Sequence, residues 1–195
     1  LTGLIAGRMT ETNKVGFIGG MESPVISKFD YGFRAGVKAA NPDAEVMVQY
    51  ANSFTDSALG KTIANQMHSK NADIIFTCAG AVGIGAIEAA KENGKKAIGV
   101  DQDQNSLAPE NVITSAMKNI DVSVEEMLSK VVDGSYKGGE VIVNTLAMNG
   151  VGIPQSSEKN VPPDVLKYVK EEAEKVKSGE VKVPATKEEF EQLNK

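Results

Sequence analysis

The 195-residue sequence predicts an α/β fold built on a parallel sheet, and three observations predict it. Short apolar runs alternate with segments of helical period, one such unit every roughly 25 to 30 residues. Two of these runs stop sharply, Val15–Ile18 on Gly19-Gly20 and Ala97–Val100 on Asp101, and such short apolar runs read as strands of a buried parallel sheet. The segments between runs are long enough for right-handed crossovers, which lay helices on both faces of the sheet.

In order, residues 1–12 carry Leu1, Leu4, Ile5 and Met9 at helical spacing. This segment has no N-cap and the chain starts on Leu1, so a cut end is expected there. Val15–Ile18 reads as a strand stopped by Gly19-Gly20. The helix after it places Phe29, Phe33, Val37 and Ala40 on one face and ends at Asn41-Pro42, where proline forbids continuation. Glu45–Tyr50 is the next strand, and Thr55 or Asp56 caps a helix striped by Leu59, Ile63 and Met67. Asp73–Cys78 is a strongly apolar strand whose exit, AGAVGIG, opens a helix through Ile87, Ala89 and Ala90. Gly94 closes that helix.

Ala97–Val100 forms a strand that ends abruptly on Asp101, and Val112–Ala116 forms another running on to Lys118. Asp121 caps a helix carrying Val124, Met127, Leu128 and Val131, closed by Gly134. Val141–Ala147 reads as a last strand. Pro163 sits at an N1-like position before a charged amphipathic helix, Asp164–Lys177, and Thr186 with Glu189 makes a capping box.

Composition is that of an ordinary globular chain, 41% hydrophobic and 24% charged. The net charge of −5 comes without a basic run, which points away from nucleic acid and anionic lipid. Cys78 is alone, so there is no disulfide framework and no zinc site. The one histidine, His68, is expected on the exposed face of its helix, and no nucleophile has an adjacent base, so the chain does not read as an enzyme.

Parallel strands bring Gly19-Gly20-Met21, Ser53-Phe54, Ala79-Gly80, Asp101 and Lys118 to one edge, where open α/β sheets bind ligands. Phe54 offers a flat apolar face, Gly80 lets backbone come close to a ligand, Asp101 accepts two hydrogen bonds and Lys118 donates. An aromatic face beside an acid and a base suits a nucleoside or a similar polar ring compound. Each residue also has a plainer reading: Phe54 as cover for the sheet edge, Gly80 as a turn glycine, Asp101 as a turn cap, Lys118 as its surface partner. Two other readings of this edge are open. AGAVGIG with Asp101 some way downstream approaches a dinucleotide fingerprint, but Glu88 replaces its third small residue and is expected in the first helical turn. Asp101 and Asp103 could share Mg²⁺, but no further oxygen ligand has helpful spacing.

The stretches KVGFIGGMESPVISKFDYGFRAG, SFTD, AGAVGIGAIEAAKENGKKAIGVDQDQ, ITSAMKNID and NGVGI resemble the basic membrane protein family, substrate-binding lipoproteins similar to the purine nucleoside receptor A. The match runs from Leu1 to about Lys182. The resemblance implies one parallel-sheet lobe of a type I periplasmic-binding-protein-like fold, with parts of a second lobe. It implies residues 1–13 as the end of an incomplete first lobe, 14–143 as a complete second lobe, and 144–195 as a crossover and tail returning to the first. The implied function is delivery of purine nucleosides (adenosine, guanosine or inosine) to an ABC transporter permease, without enzymatic activity, cofactor or metal. The implied location is the extracytoplasmic face of a bacterial membrane, held by a lipid anchor outside this chain. Phe54 would stack on the base, Gly80, Asp101 and Lys118 would contact the sugar, and Met21 would line the cleft. The alternatives are a ligand-sensing regulatory domain of the same fold and a Rossmann-like nucleotide-binding enzyme. Self-association of this chain is a further expectation, because apolar faces meant for the other lobe lack cover.

Overall fold

The computed structural model describes residues 1–193. In order, its elements are α1 (Thr2–Met9), β1 (Lys14–Gly19), α2 (Pro24–Ala40), β2 (Glu45–Tyr50), α3 (Ser57–Ser69), β3 (Ile74–Cys78) and α4 (Ala81–Glu92). There follow β4 (Lys96–Asp101), β5 (Val112–Lys118), α5 (Ile120–Val132), β6 (Val151–Gly152), α6 (Pro163–Ser178) and α7 (Lys187–Gln192). Side-chain caps and a left-handed glycine set several boundaries. Ser23 caps α2 ahead of Pro24, Asp56 accepts the Leu59 N–H at 2.9 Å, and Thr186 with Glu189 forms a reciprocal capping box. α6 stops on Gly179 in the left-handed conformation.

The strands lie in the order β2-β1-β3-β4-β5-β6. The first five are parallel, and β6 pairs antiparallel with the end of β5 through Met117–Gly152 and Lys118–Val151. The chain steps outward from β1 to β2 and then returns to the other side of β1 as β3. Exit loops diverge at such a reversal, which makes it the place where an open α/β sheet holds a ligand.

The pleat sends alternate side chains to opposite faces. Phe17 and Phe76 point to one side, where they meet Phe33 and Val37 of α2, Leu4 and Ile5 of α1, and Leu166 and Val169 of α6. Ile18 and Ile75 point to the other, against Ile63 and Met67 of α3 and Val82 and Ala86 of α4. Both faces are therefore covered, α1, α2 and α6 on one and α3 and α4 on the other.

α1 packs onto the sheet: Leu4, Ile5 and Ala6 are buried in the same core as Phe17 and Phe76. Close approach of backbones makes this possible, since a methyl group on Gly36 of α2 would lie 3.1 Å from the Gly3 Cα. The tail behaves likewise, with Val165, Leu166 and Val169 in that core and the Arg8 guanidinium 4.2 Å from the Tyr168 ring centre. Val141–Ala147 is not a strand, because none of its backbone pairs with the sheet; the last strand is the short β6. His68 is buried, not exposed, because α3 ends in a turn that folds Ala72 back onto its ring.

α5 stands out against this packing. Ile120, Val124, Leu128 and Val131 form one stripe at helical spacing, yet each is more than half exposed and no residue of the helix is buried. Val141 and Val143, downstream, are exposed as well.

Candidate functional site

The carboxyl ends of β3, β4 and β5 meet around an open hollow of about 520 Å³. Gly80, Ile84, Val100, Asp101, Gln104 and Lys118 line it, together with Gln102 and Ile120. Larger grooves run along α6 and between α6 and residues 145–147, but no strand end reaches them.

Asp101 and Lys118 face each other because their strands are neighbours in register, Asp101 opposite Met117. Their side chains form an ion pair at 2.8 Å while remaining 57% and 38% exposed. A pair this exposed contributes at most about 1 kcal/mol to stability. Asp101 also has φ of +69°, a left-handed backbone that costs a non-glycine residue roughly 1 to 2 kcal/mol. This corner is therefore no net gain for the fold, and strain of that kind gathers where ligands are held. The ring of Phe29, on α2, lies 6.0 Å from Lys118 Nζ and flanks the pair.

Gly80 forms the adjoining wall. Its φ of +58° needs glycine, and an added methyl group would lie 2.8 Å from the Phe54 carbonyl oxygen. That carbonyl accepts the Ala81 N–H at 2.8 Å and so ties the β2 exit loop to the start of α4. The Phe54 ring rests over Gly20, where a methyl group would run into it. Phe54 thus covers the point where strand order reverses, and it stays 39% exposed. Met21, 46% exposed, lies one residue beyond Gly20 and is not part of the hollow's lining.

Beneath the site sits Cys78, the last residue of β3. Burial, with the Asp101 charge adding to it, pushes its thiol up to about 12, so it stays neutral. Farther along the edge, the Tyr50 hydroxyl donates to Asp30 at 3.1 Å. Burial raises the Asp30 pKa, opposed by Arg34, whose guanidinium lies 3.8 Å away.

The structure therefore brings Gly80, Asp101 and Lys118 into one hollow, sets Phe54 against Gly80 at its margin, and leaves Met21 outside. Asp103 accepts the Asn105 N–H at 3.0 Å, a turn-forming contact within the loop. Glu88 falls two turns into α4, not in its first turn, and pairs with Lys61 at 3.3 Å. Sequence reasoning missed Ile84, Gln102, Gln104 and Ile120. Ile84 and Ile120 look like core residues in sequence, and only their placement past the strand ends exposes them to the hollow.

The sequence matches the family model for PnrA-like ABC transporter substrate-binding proteins across residues 1–187. It is 40% identical to basic membrane protein B of Borreliella burgdorferi over 98% of this chain and 55% of that protein. It is also 40% identical to the CD4+ T-cell-stimulating antigen of Listeria monocytogenes, over 94% of this chain and 56% of the other. The chain thus spans little more than half the length of these relatives. Among solved structures, an ABC transporter solute-binding protein of Aeropyrum pernix superposes with a TM-score of 0.84 at 26% identity, covering 98% of this chain and 65% of that one. The fold is that of periplasmic solute-binding proteins, and the chain belongs to the Bmp family of PnrA-like ABC transporter substrate-binding proteins.

Proposed function

We propose that this chain supplies one wall of a solute-binding cleft and that the solute is a purine nucleoside. The observation that carries the reading is the Asp101–Lys118 pair, 2.8 Å apart at two strand ends, in one hollow with Gly80, against which Phe54 packs. In this reading the Asp101 carboxylate accepts from the two neighbouring hydroxyls of a ribose, and Lys118 donates to the sugar while holding Asp101 in place. Gly80 lets the ring approach the backbone closely. Phe54 stacks on the base, and Met21 closes the outer margin. Binding of this kind requires no catalysis, cofactor or metal.

The second wall comes from the length of chain that the relatives have and these residues do not span. The seam with it runs along α5 and residues 141–147, where Ile120, Val124, Leu128, Val131, Val141 and Val143 are exposed. The whole protein then works at the extracytoplasmic face of a bacterial membrane, lipid-anchored, and passes its nucleoside to an ABC permease.

Calorimetric titration of the whole protein, with both walls present, against inosine, guanosine and adenosine tests the ligand; the 195-residue chain alone should bind them poorly. At least one should bind, and Phe54→Ala should weaken it by roughly 1 to 3 kcal/mol, the usual size of base–aromatic stacking. Tight binding of free ribose or of an amino acid, with no affinity for any nucleoside, would sink the proposal.

A further inference from the structure

The left-handed backbone at Asp101 has a local cause. The Gln102 N–H donates to the Val100 carbonyl at 2.8 Å, closing a three-residue turn with Asp101 at its centre. A turn of this kind with positive φ is strained and does not persist unaided. The ladder between β3 and β4 ends at Phe76 opposite Ile98, so the end of β4 runs on without a β3 partner. The Val100 N–H is taken up instead by the Gln104 side chain, whose Oε1 accepts it at 2.9 Å. Gln104 is itself fixed from the other side, its N–H donating to Ser115 Oγ at 3.1 Å. Ser115 is fully buried on β5, three residues before Lys118. Gly99 makes room, because a methyl group there would lie 2.6 Å from both Gln104 Oε1 and Ser115 Oγ.

We infer that Gln104 is a positioning residue for the binding site. It stands in for the missing strand, holds the Asp101 turn in its strained form, and so aims the carboxylate at Lys118. Ser115 anchors it to the strand that carries Lys118, so acid and base move as one unit. The link to affinity rests on the nucleoside reading above, while the link to the turn does not.

Two measurements on one set of variants separate these links. Hydrogen exchange by NMR follows the amides of Val100 and Gln102, with Phe17 and Ile75 as sheet-centre references. Calorimetry of the same variants in the whole protein, which carries both walls, follows inosine. Gln104→Ala should speed exchange at Val100 and Gln102 by about tenfold or more, leave Phe17 and Ile75 unchanged, and weaken inosine about tenfold. Gln104→Glu keeps an acceptor oxygen at the same reach and should preserve protection at both amides.

Unchanged exchange at Val100 and Gln102 in Gln104→Ala would overturn the inference. So would faster exchange with full inosine affinity, if Asp101→Ala abolishes binding. If Asp101→Ala leaves inosine binding intact, the nucleoside reading fails, and the exchange measurement alone decides whether Gln104 holds the turn.

Discussion

Asp101 and His68 show how far a residue's chemistry depends on what surrounds it. Both are polar side chains next to apolar runs. Asp101 ends up exposed, strained and paired with Lys118, where its charge is available to a ligand. His68 ends up buried, with Nδ1 2.9 Å from the Ala72 carbonyl, so Nδ1 carries the proton, and Nε2 has no hydrogen-bond partner among the described residues. Burial lowers its pKa below the ordinary 6.5, and Lys95 nearby adds to the effect. The unfolded chain then binds a proton that the fold resists, so the histidine's contribution to stability is full above 6.5 and is lost as the pH falls through the lowered value. Asp30 acts with the opposite sign, since burial raises its pKa and favours its protonated form in the fold. Comparison with His68→Gln isolates the histidine. Between about pH 7.5 and about 5.5 the wild-type melting temperature should fall more than that of the variant. Parallel curves would show that His68 ionises as freely in the fold as out of it.

Among the elements, the aromatic cluster under β1 and β3 does most to define the core. Phe17, Phe33 and Phe76 lie with ring centres 5.1 to 6.3 Å apart, joining two strands to α2. Phe76 is 1% exposed, and Phe76→Ala should destabilise the fold by about 3 to 5 kcal/mol in chemical denaturation. The same truncation of Val132, at the exposed end of α5, should cost under about 0.5 kcal/mol. A similar loss at both would mean that α5 is covered in solution. The contrast between α2 and α5 is instructive because both have an apolar stripe at helical spacing. For α2 the stripe meets the sheet. For α5 it meets solvent, and periodicity alone cannot distinguish the two.

On the scale of the whole molecule, one well-packed sheet carries a site on its edge and an uncovered surface beside it. Ile120 belongs to both, lining the hollow and beginning the α5 stripe. An exposed apolar stripe of this length is a surface for association. Sedimentation of the 195-residue chain should therefore show concentration-dependent self-association, and charges introduced by Val124→Lys and Leu128→Glu should suppress it. A monomer at all concentrations would mean that the stripe is too small or too mobile to hold a partner.

The sequence by itself determined the order of strands and helices from α1 to α5, the caps that bound several of them, and the gathering of Gly80, Asp101 and Lys118 at one edge. Those features follow from local period, from capping chemistry and from the rule that parallel strands end on the same side. Only the tertiary structure decided the placement of α1 and α6 on the sheet's own face, the burial of His68 and the unpaired state of residues 141–147. It also decided the role open to Gln104. These depend on which backbone donors a neighbouring strand leaves unmet and on which apolar stripes find a partner. Both are properties of packed pairs of segments, which one segment's sequence does not contain.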